Sequence, residues 1–249
     1  MTSPRTHSAV QGRMLGPLAA VALAAMVMTA GPAAAASSLT ISATTDIWLA
    51  GQVDGTVATG SFGSDTAPDN SPVLMAVGAG VMYQFAASGS TSVDTSCFAG
   101  PDGGCYADES GFGVGPANGI GTYKGPSNAL IGVFLDGATP SGLGGPASMD
   151  FTQAANISQA SYSPALNQIF FIGDGLTGEA TGTFQHFAAP AGATRLFLAV
   201  ADSYGSSTGN LGSLLVNVSA VPEPGSLALM FAGLVAVAGL ARQRKKTAP

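Results

Sequence analysis

The residues able to do chemistry are few in this chain, and the most suggestive of them share one loop. In Ala201–Ser213, ADSYGSSTGNLGS, Asp202 stands at the exit of an apolar run and Asn210 follows eight residues later, with Ser203, Ser206, Ser207 and Thr208 between them. Calcium takes about six to eight oxygen ligands from carboxylates, amides, hydroxyls, carbonyls and water, and this loop supplies part of such a set. The same letters also describe a plain turn, with an Asp capping it and an Asn in the left-handed region. A second stretch, 88–128, is dominated by turn residues and holds the only two cysteines, Cys97 and Cys105. In an oxidising compartment this pair is expected to form a disulfide that pins the Gly100–Gly104 turn. Its spacing is not that of a Cys-x-x-Cys redox motif.

Catalytic chemistry finds little support. Asp102, Asp108, Glu109, Asp136, Asp150, Asp174 and Glu179 could in principle supply a glycosidic acid–base pair, but most sit beside Gly or Ser in apparent turns. His186 is the only histidine outside the N-terminal leader. It falls in the strand-like run Thr183–Phe187, where exposure on a sheet surface accounts for it. With so few histidines and thiols there is no zinc cluster and no Cys-His nucleophile system. The expectation is that the protein is not an enzyme.

The elements that must position these residues are strands. Short apolar or alternating runs lie between glycine-rich turns at Leu39–Ile41, Asp46–Leu49, Val73–Val77, Val81–Ala87, Leu130–Leu135, Gln168–Ile172, Thr183–Phe187, Arg195–Val200 and Leu214–Val218. With no helical pattern in the body, they predict an all-β, jelly-roll-like antiparallel sandwich or a partly closed barrel. Phe85, Phe170, Phe171, Phe184, Phe197 and Trp48 are expected in its packing, and Asp65 is expected to be exposed in a turn. Acidic residues of the body far outnumber its two cations, Lys124 and Arg195. Such a surface repels nucleic acid and favours cations.

Both ends carry processing signals. At the start, Arg5 and Arg13 precede an apolar run and Ala33–Ala36, the pattern of a cleaved signal peptide over 1–36. The body then spans 37–220, one domain's worth of chain. At the far end, 221–249 opens with Val221-Pro222-Glu223-Pro224, continues as an uncharged run from Ser226 to Ala241 and closes with Arg242, Arg244, Lys245 and Lys246. About sixteen apolar residues rise only ~24 Å as a helix, just enough with their flanks to span a bilayer. The basic cluster would lie on the cytoplasmic side and the body outside. A plain C-terminal anchor gives the same topology.

This tail resembles the PEP-CTERM sorting signal of exopolysaccharide-producing Gram-negative bacteria. That resemblance implies export machinery and a sorting and processing protease as partners, with passage through an inner-membrane-anchored intermediate to the cell surface or extracellular matrix. The body segments DIWLAG, GPDG, NALIG, PAGATRLFLAVAD and NLGSLLVNV more distantly resemble calcium-dependent, galactose-binding bacterial lectins. The likeness implies a calcium ion held by Asp202 and Asn210, with backbone carbonyls from Ser206 and from Val93 or Asp94. Any saccharide or exopolysaccharide ligand would meet Asp202, Asn210 and Asp102. Gly209 stands where those lectins have a further asparagine, and their sugar-gripping histidine and glutamine have no counterpart; Asp102, Tyr106, Asp108 and Glu109 occupy that segment instead. A structural matrix component with no defined ligand, and a secreted hydrolase, are the other two readings.

Overall fold

The structure is a computed structural model that describes residues 36–106, 115–142, 144–221 and 232–237. The signal peptide up to residue 35, Asp108, Glu109, the sorting motif beyond Val221 and the C-terminal basic cluster lie outside the described residues. Thirteen strands follow in order: β1 Ser37–Ser42, β2 Val57–Thr59, β3 Ser64–Thr66, β4 Val73–Ala76, β5 Met82–Ser92, β6 Leu130–Leu135, β7 Ser161–Tyr162, β8 Ile169–Phe171, β9 Leu176–Gly178, β10 Thr181–Phe184, β11 His186–Ala188, β12 Arg195–Val200 and β13 Leu211–Val221.

Two sheets make the sandwich, one of five strands in the order β1-β13-β5-β11-β7 and one of four in the order β4-β12-β6-β8. Side chains of β13 alternate in burial over Leu214–Val218, the mark of a strand with one face on a core. Strand β6 is buried along its whole length, as an internal strand covered on both faces must be. Aromatic rings tie the layers together. Phe134 of β6 stacks on Phe170 of β8 at 5.0 Å, Phe170 meets Phe187 of β11 in the other sheet at 5.5 Å, and Phe187 packs edge-on against Phe85 of β5 at 5.0 Å. Such pairs each contribute about 0.5–1.5 kcal/mol beyond the area they bury.

Several local expectations change. Asp46–Leu49 is not a strand: Ile47–Leu49 form a 3-10 turn whose first amides are capped by Asp46, whose carboxylate accepts from Trp48 N at 2.8 Å. Three apolar residues in a row are buried on all sides there, which the strand template could not distinguish from a turn. The run Thr183–Phe187 is split between β10 and β11 by Gln185, which is fully buried and whose Nε2 donates to the carbonyls of Ile157 and Gln159. The break turns Phe184 outward to 47% exposure, so it is not a packing residue. Among the described residues β11 pairs with β7 in parallel, and a short helix (α1, Ala154–Ile157) interrupts the β framework. The small hairpin β2–β3, too short and polar to show an alternating pattern, also escaped the sequence analysis.

The last strand is longer than its apolar part. All eleven residues of β13 pair with β5, from Leu211 opposite Ser92 to Val221 opposite Met82. This register sets the functional end of the molecule, because the segment leaving β5 and the loop entering β13 must emerge side by side. Beyond it, residues 232–237 are helical. Among the described residues no helix is long and apolar enough to cross a membrane.

Candidate functional site

The β12–β13 loop forms one wall of a cleft of about 480 Å³, to which Asp202, Ser203, Ser206, Thr208, Gly209 and Asn210 contribute. Val93, Asp94 and Tyr106 from the segment leaving β5, and Phe62, Gly63 and Ser64 from the β2–β3 turn, line the rest of it. The volume falls in the range of small-molecule sites. Of the residues singled out in the sequence, Asp202, Ser206, Asn210 and Val93 come together here. Asp102 does not line the cleft; its half-buried carboxylate accepts from Asp174 N at 2.8 Å, and burial, followed by its Asp174 and Glu179 neighbours, raises its pKa against that bond.

Asp202 is held at both oxygens. Its Oδ1 accepts from its neighbour's amide, Ser203 N, at 2.6 Å and its Oδ2 accepts from Asn210 Nδ2 at 2.8 Å. Loss of water around it outweighs these bonds and pushes its pKa up to about 6, with the negative charge of Asp65 adding to the rise. Asn210 is 5% exposed and also donates from Nδ2 to Ala43 O at 3.2 Å, so its amide nitrogen is committed to protein. Its Oδ1 accepts none of these bonds. A β-carbon added at Gly209 would meet no atom within 4 Å, so the loop is open to the cleft at that position.

The loop is shaped from below by two carboxyls distant in sequence. Asp65, expected to be exposed, is in fact fully buried: Oδ2 accepts from Ser207 N at 2.7 Å, and Oδ1 accepts from Thr208 N at 2.8 Å and Thr208 Oγ1 at 2.6 Å. These amides open the 3-10 turn Ser207–Gly209 and have no intrahelical partner, so an acceptor from another strand takes the place of a local cap. Asp46 reaches the same loop, accepting from Gly205 N at 3.0 Å through Oδ2. Asp46 is 2% exposed and beside Asp65; burial drives its pKa up to about 7 despite the Trp48 and Gly205 amides. Backbone contact between loop and hairpin is equally close. A β-carbon on Gly60 would lie 1.6 Å from Tyr204 O, and one on Gly205, at φ +67°, would lie 2.5 Å from Ala58 O.

The Val93–Tyr106 segment carries a set of local bonds of its own. The exposed carboxylate of Asp94 accepts from Ser96 N and Oγ, both at 2.7 Å, and from Cys97 N at 2.9 Å through Oδ1, while Oδ2 accepts from Tyr106 OH at 2.9 Å. These bonds, those from Ser96 first, lower its pKa to about 2. The hydroxyl of Ser92 donates to the Asp94 carbonyl. Cys97 and Cys105 are joined, as expected, and the bond closes the loop that ends next to Tyr106. Chemically, the cleft offers two carboxylates, Asp202 and Asp94, one amide oxygen and loop carbonyls, a set suited to a hard cation that keeps water ligands. Among the described residues no three His, Cys, Asp or Glu side chains converge in a way that could hold a metal by themselves. The sequence alone does not bring Asp46, Asp65 and Phe62 to the site, since each reaches the loop only through tertiary pairing; Thr208 and Tyr106 are visible in the sequence, though without a role of their own.

Residues 220–245 match the PEP-CTERM protein-sorting motif. The chain is therefore an exported protein, sorted to the cell surface by machinery that recognises this tail, and its body is an all-β sandwich. A solved structure described as "EclA N-terminal domain; PllA-like lectin" aligns with 74% of this chain and 95% of its own length, at 18% identity and a TM-score of 0.32. No curated protein sequence matches the chain.

Proposed function

We propose that this protein is a non-catalytic, saccharide-binding component of the cell surface or extracellular matrix, with calcium bound in the cleft by Asp202 and Asn210. Backbone carbonyls of Ser206 and Val93 complete the protein's share of the ligands. The observation that carries this reading is the meeting of Asp202 and Asn210 in a cleft whose other wall begins at Val93, more than a hundred residues earlier in the chain. A carboxylate whose pKa is raised by lost hydration is a group that an adjacent cation would stabilise in its charged form. On its route the protein would pass through an inner-membrane intermediate anchored by its C-terminal segment in a Gram-negative cell, and the matrix polysaccharide would be its natural ligand.

A second reading is favoured by one bond. Asn210 already satisfies Asp202 at 2.8 Å without an ion, so the pair can serve as a loop staple in a matrix protein that has no ligand. Hydrolysis is the weakest reading. Asp136, Asp150 and Asp174 each accept from amides within six residues, as turn caps do, and the adjacent carboxyls Asp46 and Asp65 are buried under the loop.

Calorimetric titration of the chelator-treated exported protein with calcium, followed by a glycan array with and without the ion, separates these readings. Binding at one site per chain that is lost in Asp202→Asn and kept in Asp54→Asn, an exposed control, supports the calcium site. By linkage, free calcium at about a hundred times Kd would stabilise the fold by about 2.7 kcal/mol. No heat and no thermal shift at millimolar calcium eliminate the ion, and calcium binding with a silent array favours the matrix component.

A further inference from the structure

Two aromatic side chains at the cleft have no part in the core. Phe62 is 67% exposed at the tip of the β2–β3 turn, which Gly60 N closes by donating to Gly63 O at 3.0 Å. Tyr106, which also lines the cleft, is 44% exposed. Isolated exposed apolar residues are ordinary on a protein surface and call for no explanation. Two rings lining one cleft, brought there by separate loops, are a different matter.

Each ring is placed by a dedicated local device. The close approach of Gly60 to Tyr204 O fixes the Phe62 turn against the β12–β13 loop. Tyr106 follows the disulfide-bonded Cys105, donates its hydroxyl to Asp94 Oδ2 at 2.9 Å and accepts from Ser127 N through its carbonyl at 3.2 Å. Asp94 is in turn held by the Ser96 and Cys97 amides, so the chain of contacts runs from disulfide to carboxylate to ring. The result is a cleft with apolar ring surfaces at its sides and carboxylate, amide and hydroxyl groups along its loop. An occupant that matches it has apolar C–H faces and a hydroxyl-bearing edge, and carries no negative charge.

The geometry points to Phe62 and Tyr106 as ligand-contacting residues of the cleft, which meet the apolar C–H surface of a neutral pyranose while its hydroxyl edge faces Asp202 and Asn210. Asp94 and the Cys97–Cys105 bond are positioning elements for Tyr106. This inference rests on the saccharide-binding reading above and names the residues that give it specificity. It does not require the calcium ion.

The test uses the exported protein and a panel of neutral methyl pyranosides, with tetramethylammonium as an organic-cation probe. Ligand binding is read by NMR titration and calcium binding by calorimetry in the same variants. Phe62→Ala and Tyr106→Ala are expected each to weaken pyranoside binding by about tenfold or more, the usual effect of truncating an aromatic contact residue. Calcium affinity should stay within about twofold of wild type, because neither ring offers an oxygen-rich ligand set. Tyr106→Phe keeps the ring and removes the hydroxyl that donates to Asp94, so it should bind better than Tyr106→Ala. Phe184→Ala, exposed on another part of the surface, should leave binding unchanged. Ring-dependent pyranoside binding in a protein that ignores calcium upholds the inference and removes the ion from the proposed function. Calcium binding with every pyranoside silent, pyranoside binding indifferent to both alanine variants, or ring-dependent binding of tetramethylammonium alone would each overturn it.

Discussion

The two long walls of the cleft are built on opposite plans. The β12–β13 loop hangs from carboxyls that arrive from far away in the chain, Asp46 and Asp65, both buried, and its backbone is pressed against Gly60 and Ala58. The wall from Val93 to Tyr106 carries a local staple, an exposed carboxylate capping amides two and three residues on and a disulfide across a sequence separation of 8, and its far end is tied to Ser127 through Gly104 and Tyr106. The first wall is thus part of the fold's core, and damage to it should reach the whole domain. The staple of the second, the Asp94 caps and the disulfide, is expected to open while the sandwich stays intact. Buried charged hydrogen bonds are costly to orphan, whereas exposed ones are screened by water.

The largest expected effect comes from Asp65→Ala, which leaves two amides and a hydroxyl of the loop without their acceptor inside the protein. It should lower unfolding stability by about 3–5 kcal/mol, measured by urea titration. A loss under about 1 kcal/mol would mean that the first wall is as dispensable as the second.

Replacing Cys97 and Cys105 together by serine should cost about 2–3 kcal/mol, the chain-entropy value for so short a loop. The near-ultraviolet dichroism of the core aromatics should persist, and the defect should appear at Tyr106 and in ligand binding. Collapse of the whole aromatic signal would contradict the contrast between a core-built and a locally built wall.

Acidity should act on the first wall between pH 5 and 8. Asp46 and Asp202, with pKa values raised to about 7 and about 6, hold protons in the folded state that the unfolded chain gives up at the ordinary carboxylate pKa. Their contribution is fully present below that ordinary value and is lost as pH rises through about 6 and 7. Without calcium, the melting temperature should therefore fall from pH 5 to pH 8, and Asp46→Asn should flatten the slope. The carboxylates lowered to about 2, Asp94 and Asp150, favour folding above the ordinary value and lose this effect only in stronger acid. A melting temperature that rises over this range would show that burial does not govern the two wall acids.

The smallest effect on stability is expected at Gly209→Asn, whose side chain would enter open space. Stability should change by no more than about 0.5 kcal/mol. The added amide oxygen should tighten calcium binding, read by calorimetry against wild type. Weaker binding would show that the backbone at this position, and not a missing oxygen, limits the site.

How far the sequence reveals this molecule depends on the range over which each residue acts. The strands of the two sheets announce themselves, because β6, β12 and β13 carry their burial pattern in consecutive letters. Asp202 and Asn210 are legible as well, since both lie in one loop and their meeting needs no distant partner. Asp65 is the instructive failure. It sits among Gly, Ser and Thr in a hairpin too short for a periodic signal, and its burial comes from Ser207 and Thr208, 142 and 143 residues away. Phe62 fails in the opposite direction: a lone aromatic in GSFGS gives no sign of whether it faces a core, solvent or a cleft. Trp48 was correctly expected inside, yet its turn was mistaken for a strand because the deciding contact, Asp46 capping Trp48 N, competes with strand pairing in a way composition does not record.

The register of β13 has a mechanical consequence. The sorting motif begins at residue 220, within the strand's last two residues, and that strand lies between β1 and β5 in the sheet interior. Inter-strand hydrogen bonds run perpendicular to the strands. A pull on the tail along the strand therefore loads the ladder to β5 in shear, many bonds at once, where a tail leaving an edge strand could be peeled off one bond at a time. Any load applied at the C-terminal end of β13 is thus borne by an internal strand and not by an edge.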